Sequence, residues 1–126
     1  MIEETPKLKN TIIENFGTPC AVIDMDTVER NIAKAQSLCD AAGVANRPHI
    51  KTHKSPTLAN MQIAAGAQGI TCQKLGEAEV MVNAGITDII IATNLLGAAK
   101  SGRLTALQKR VPVSYTHLTL PTTPYV

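Results

Sequence analysis

The sequence predicts an α/β fold with parallel strands. Three observations carry that expectation. Short apolar runs rich in β-branched residues alternate with amphipathic stretches along most of the chain. Gly or Ser-Pro punctuation separates one from the next. The runs end in polar residues, Lys51, Gln73 and Asn94. Repeated strand–helix alternation implies right-handed crossovers between parallel strands. Ligands gather at the C-terminal ends of such strands. On pattern alone a doubly wound sheet and a partial barrel stand equally.

The elements follow in order. Residues 20–23, CAVI, form an apolar run of strand type. Asp26 is placed as an N-cap, with Glu29 three residues on completing a capping box. Val28, Ile32, Ala35, Cys39 and Ala42 then recur at helical spacing, and Gly43 stops the helix. Residues 48–52 are the next strand. Ser55-Pro56 opens a second helix, with Ser as cap and Pro in the first turn. That helix carries Leu58, Met61 and Ala65 and ends near Gly66. Residues 69–72 form a short strand, and 75–84 a helix stopped by Gly85. Residues 88–92 hold three consecutive isoleucines, the pattern of a strand buried on both faces. Gly97 introduces a last helix over about 98–110.

A chain of 126 residues has room for one domain. With 44% hydrophobic and 17% charged residues it has the composition of a folded chain. A net charge of +2 is too small to indicate a nucleic-acid partner. No apolar run reaches the ~18 residues of a membrane span. Residues 1–10 are polar with charges of both signs, unlike a secretory leader. Cys20, Cys39 and Cys72 are odd in number and form no CxxC, so neither a disulfide framework nor a zinc finger is expected. A reducing cytoplasm is the expected setting. Residues 113–126, VSYTHLTLPTTPYV, carry no acidic or basic residue apart from His117, and hold four threonines and two prolines. Nothing upstream has that composition. The segment is expected to be a non-native tail, leaving residues 1–112 as the native part.

The segment Arg47-Pro48-His49-Ile50-Lys51-Thr52-His53-Lys54 is the most informative. On a strand, Arg47, His49, Lys51 and His53 share one face. Four such side chains repel if buried without an acceptor, so the face is either solvated or set against an anion. A lysine crowded by cations and partly desolvated holds more free amine, the form that attacks a carbonyl to give a Schiff base. His49 and His53 make a poor metal pair here, because on a strand they stand about 13 Å apart.

The segment RPHIKTHKSP resembles the pyridoxal-phosphate lysine motif of the D-threonine aldolase and D-serine dehydratase family. The resemblance continues through AAGAQGITCQKLGEAEVMVNAGITDIII and begins at TPCAVIDMDTVERNI, covering residues 17–111. It implies an alanine racemase-like fold, in which an N-terminal TIM-type β/α barrel holds pyridoxal 5'-phosphate and a C-terminal β-domain completes the site. This chain then supplies about three βα units, on the strands of Lys51, Cys72 and Ile90, with residues 20–24 outside the barrel. Residues 1–112 would be the incomplete N-terminal part of the barrel domain.

The resemblance also implies site residues. Lys51 forms the Schiff base, while Lys54, past the strand, points away. His49, His53, Gln73 and Asn94 are placed as cofactor-binding residues. Arg47 is expected in an ion pair at the barrel bottom, Glu77 and Glu79 on a solvated helix face, and Cys72 in the core. The implied reaction is lyase chemistry on β-hydroxy D-amino acids, of aldolase or dehydratase type. A divalent metal serves the full-length family, but its ligands are absent from this chain, so none is assigned here. The chain is not expected to be active by itself. Its partner is a small D-amino acid, with no nucleic acid or membrane, and the full-length protein is expected to be a homodimer. An amino-acid racemase of the same fold is the alternative, weakened because Ser55 stands where racemases carry tyrosine. A non-catalytic pyridoxal-phosphate carrier and a small α/β binding module with a basic strand complete the alternatives.

Overall fold

A computed structural model describes residues 6–111 and 113–115. The chain divides into two compact units, residues 1–31 and 32–126.

In the first unit, α1 (Pro6–Phe16) is a helix with no buried residue. The sequence reading did not place it. Residues 17–24 form no strand, contrary to the expectation for 20–23. A strand exists by pairing its N–H and C=O groups, and among the described residues no edge meets this run. Helix α2 (Met25–Ala41) starts in this unit and continues into the second. Its cap is Asp24, not Asp26. Asp24 accepts the Thr27 N–H at 3.2 Å and the Thr27 hydroxyl at 2.7 Å. Those bonds hold its carboxyl below the usual carboxylate range. Asp26 already lies in the first helical turn, where its charge suits the helix dipole.

The second unit is built on a parallel sheet. Its elements are α3 (Pro56–Ala64), β1 (Ile70–Cys72), α4 (Leu75–Asn83), β2 (Ile89–Ile91), α5 (Ala98–Gln108) and β3 (Val113–Tyr115). The strand order is β1-β2-β3, with Ile70 opposite Ile89 and Ile89 opposite Val113. The other edge of β1 meets His49 in a single parallel bridge to Thr71. Each segment therefore lies beside its successor, with one helix in every crossover. Ser55 caps α3, accepting the Leu58 N–H at 3.4 Å, and Pro56 occupies the first turn as expected. Gly66 and Gly85 take positive φ beyond α3 and α4, where they were read as stops.

The core is aliphatic. Ile50, Ile70, Cys72, Ile89 and Ile91 are fully buried beneath Ala59, Ala78, Met81 and Leu107. Burial pushes the Cys72 thiol up to about 12, with Glu77 adding to the shift. Cys72 is thus the core residue expected of it.

One expectation needs correction. The strand at 48–52 shrinks to the His49 bridge. Ile50 is sunk in the core, and the chain then turns, with the Lys54 N–H returning to the Ile50 carbonyl at 2.8 Å. The first residues of the expected non-native tail, 113–126, fall among the described residues. Val113–Tyr115 is strand β3, with Val113 buried. Residues 116–126 lie outside the described residues.

At the N-terminal ends of the strands, Arg47 reaches past Gly69 to Asp88, at 2.6 and 3.0 Å. Arg47 is thus the ion-pair partner expected at the sheet bottom. A Cβ on Gly69 would collide with the Arg47 guanidinium and the Asp88 carbonyl. Gly69→Ala is expected to destabilise the fold by about 2–3 kcal/mol through overpacking against backbone, measured by denaturant unfolding. Exposed Cys20 is expected to react with a thiol reagent in the native chain and buried Cys72 only on unfolding, read by mass spectrometry.

Candidate active site

The site is assembled from three segment ends that the parallel pairing brings level. These are the turn after His49, the loop after β1, and the loop after β2. Ile50 donates its N–H to the Thr71 carbonyl at 2.9 Å, and Thr71 donates back to Pro48 at 2.8 Å. This pairing fixes where the lysine turn begins.

His49 joins the first two ends. Its Nδ1 accepts the Lys51 N–H at 3.1 Å. That leaves the ring proton on Nε2, which lies 3.2 Å from Gln73 Oε1. Gln73 is held in turn. Its N–H donates to Glu77 Oε2 at 2.8 Å, and its carbonyl accepts the Thr93 hydroxyl. So the Lys51 backbone, His49 and Gln73 come together, and Thr93 joins them from the β2 end.

Lys51 is exposed, in a turn rather than on a strand. Among the described residues its side-chain amine has no hydrogen bond or ion pair. The cationic crowding expected around it does not form, because its premise was a continuous strand face. Arg47 is matched by Asp88, and His49 is bonded to Gln73. His53 is turned aside. Its Nδ1 accepts the Ser55 N–H at 3.0 Å, and its Nε2 is buried without a partner.

Asn94 lines a groove of about 490 Å³ with Lys54, Lys74, Lys100 and Arg103, and Glu77 and Thr93, which hold Gln73, line it too. Lys54 sits there at φ 50°, its Nζ 3.8 Å from Glu77. Among the described residues no three of His, Cys, Asp and Glu converge as a metal site.

Sequence reasoning missed Glu77, which was placed on a solvated face. Its side chain is only 11% exposed, because it turns back to cap the Gln73 N–H. The signal was available: Glu77 stands three residues after the α4 N-cap Lys74, the capping-box position. Glu79 does face outward, paired with Arg103. Thr93 carried no signal in the sequence.

Burial lowers the proton affinity of the His53 ring below its usual 6.5, partly opposed by Gln62. The unfolded ring binds a proton more readily than the folded one. The stability this contributes is full above pH 6.5 and is lost as pH falls through the folded value. Denaturation midpoints are therefore expected to decline on acidification below pH 6.5, with a shallower slope in His53→Asn.

Comparison with known proteins follows the same lines. The chain is 54% identical over 88 residues to the D-threo-3-hydroxyaspartate dehydratase of Delftia sp. strain HT23, covering 70% of this chain and 23% of that protein. It is 43% identical over 102 residues to a D-threonine aldolase of Arthrobacter sp., covering 81% and 27%. The crystal structure of D-threonine aldolase from Filomicrobium marinum superposes with a TM-score of 0.76 at 41% identity, over 78% of this chain and 26% of that one. A solved structure of a D-threo-3-hydroxyaspartate dehydratase mutant is in the metal-free form, at 46% identity and a TM-score of 0.71 over 76% of this chain and 25% of that one. No family model matches the chain. The chain thus spans about a quarter of the length of the relatives it matches.

Proposed function

We propose, from the homology of this chain to D-threonine aldolases and 3-hydroxyaspartate dehydratases, that it is the N-terminal part of a pyridoxal-phosphate-dependent lyase acting on β-hydroxy D-amino acids. The observation that carries the reading is the state of Lys51. Its amine is exposed and unpaired beside the C-terminal end of β1, and its own N–H is fixed by His49.

The residues present fit the cofactor. An unpaired lysine amine suits its aldehyde, and the Gln73 carboxamide beside His49 offers further hydrogen bonding. Bound pyridoxal phosphate would supply that aldehyde and an acceptor for the electrons of a bond broken at Cα. Lys51 would hold the group through its amine, and its Nζ would be placed to move a proton at the substrate Cα. His49, as the Nε2–H tautomer, would keep the Lys51 backbone in place. His53 accepts the Ser55 N–H instead, which weakens its claim to the cofactor, while Asn94 lines the basic groove beside Thr93 and Glu77.

The sheet supports a barrel rather than a doubly wound fold. Each described strand neighbours its sequence successor, and the order does not reverse. The remaining barrel units, the cofactor-phosphate contacts and the metal ligands would lie in the rest of the enzyme. Within this reading residues 113–126 remain a foreign end, whose first residues fill the β3 position. Parallel pairing through backbone groups tolerates such a replacement.

The test is a protein extended to the length of its relatives and prepared with pyridoxal phosphate. Its visible spectrum is expected to show a lysine-bound band that Lys51→Ala abolishes. A band kept in Lys51→Ala and lost in Lys54→Ala would move the role three residues on.

A further inference from the structure

The Lys51 turn contains the same local device twice. In His49-Ile50-Lys51 and again in His53-Lys54-Ser55, a ring Nδ1 accepts the N–H two residues on, at 3.1 and 3.0 Å. Between them the Lys54 N–H closes on the Ile50 carbonyl. Lys54 closes it at φ 50°, a left-handed conformation that is strained for a non-glycine residue. A turn of that kind persists only where its surroundings fix it.

The two devices differ at the far side of the ring. His49 Nε2 has Gln73. His53 Nε2 is buried and unpartnered, and so is Gln62 Oε1 on α3. Gln62 nonetheless acts on the ring, favouring a proton there. With Nδ1 committed to the Ser55 N–H, that proton belongs on Nε2. A buried donor and a buried acceptor left apart are each penalised, and one hydrogen bond between them removes both penalties.

We propose that His53 Nε2–H and Gln62 Oε1 pair as a clasp tying the Lys51 turn to α3, and that His53 and Gln62 are positioning residues for Lys51. This rests on the Schiff-base reading of Lys51. The clasp acts through backbone: Gln62 holds the ring, the ring holds Ser55, and the turn between the two histidines presents the amine.

Two measurements on the full chain test it. The sequence has three histidines, so long-range ¹H–¹⁵N correlation of ¹⁵N-histidine protein reads each tautomer. His53 is expected as Nε2–H, and an Nδ1–H tautomer overturns the clasp. The second is labelling with pyridoxal phosphate, trapped by borohydride and located by mass spectrometry as the ratio of Lys51 to Lys54. Gln62→Leu is expected to lower that ratio about fivefold, the effect of one hydrogen bond, while Gln62→Glu, which keeps an acceptor oxygen, preserves it. His53→Asn keeps an acceptor for Ser55 but falls short of Gln62, and is expected to lower the ratio likewise. Loss of fold alone would alter labelling at every lysine together. A ratio unmoved by Gln62→Leu overturns the positioning role and leaves the Schiff-base reading intact. Label confined to Lys54 in the unmutated chain, with His53 as Nε2–H, instead sinks the Schiff-base reading, and the positioning of Lys51 falls with it.

Discussion

The fork between Arg47 and Asp88 sets the frame for everything above it. Arg47 precedes the His49 bridge, Gly69 precedes β1, and Asp88 precedes β2. One guanidinium spans all three, and the Asp88 carbonyl also accepts the Ile70 N–H at 3.0 Å. The pair is partly exposed, at 19% and 44%, so its Coulomb energy is screened. Its importance is geometric. A bidentate fork fixes distance and angle together, and only glycine leaves room for it to pass. With the lower ends held in register, the upper ends are level too. That is why His49, Gln73 and Thr93 meet.

Much of this was legible in the sequence, for definite reasons. The triple isoleucine of β2 and the glycines after α3 and α4 are signals that tertiary context seldom overrides. Arg47 was recognisable from its place at a strand start. The lysine segment misled because its alternation has two readings. Residues at i and i+2 share a strand face, but a histidine at i can also accept the N–H of i+2. Arg47-Pro48-His49-Ile50-Lys51-Thr52-His53 suits both. Burial of Ile50, which ends the strand, depends on partners far along the chain. The same limit hid Thr93, whose hydroxyl matters only once β2 lies beside β1. The Asp24 cap was hidden by a competing one, since Asp26 with Glu29 fits the capping-box rule, whereas Asp24 caps by accepting both the N–H and the hydroxyl of Thr27.

The chemistry of the site changes character with that correction. A row of cations facing an anion would have worked by charge. The observed turn works by lone pairs. Two imidazoles act as acceptors for backbone N–H groups, a role open to them only while neutral at Nδ1. The motif's histidines thus shape the backbone around the lysine, and the amine itself is left unencumbered. Glu77 extends the same economy, using its carboxylate to hold the Gln73 N–H rather than to face water.

The sequential order of the sheet bears on how the chain assembles. Each strand's partner is the one made just before it, so every pairing closes across a single helix and its loops. Such short closures keep the loop-entropy cost of each parallel pairing low. On the ribosome, each emerging βα unit would find its docking edge already displayed. Among the described strands, the sheet can therefore grow in the direction of synthesis.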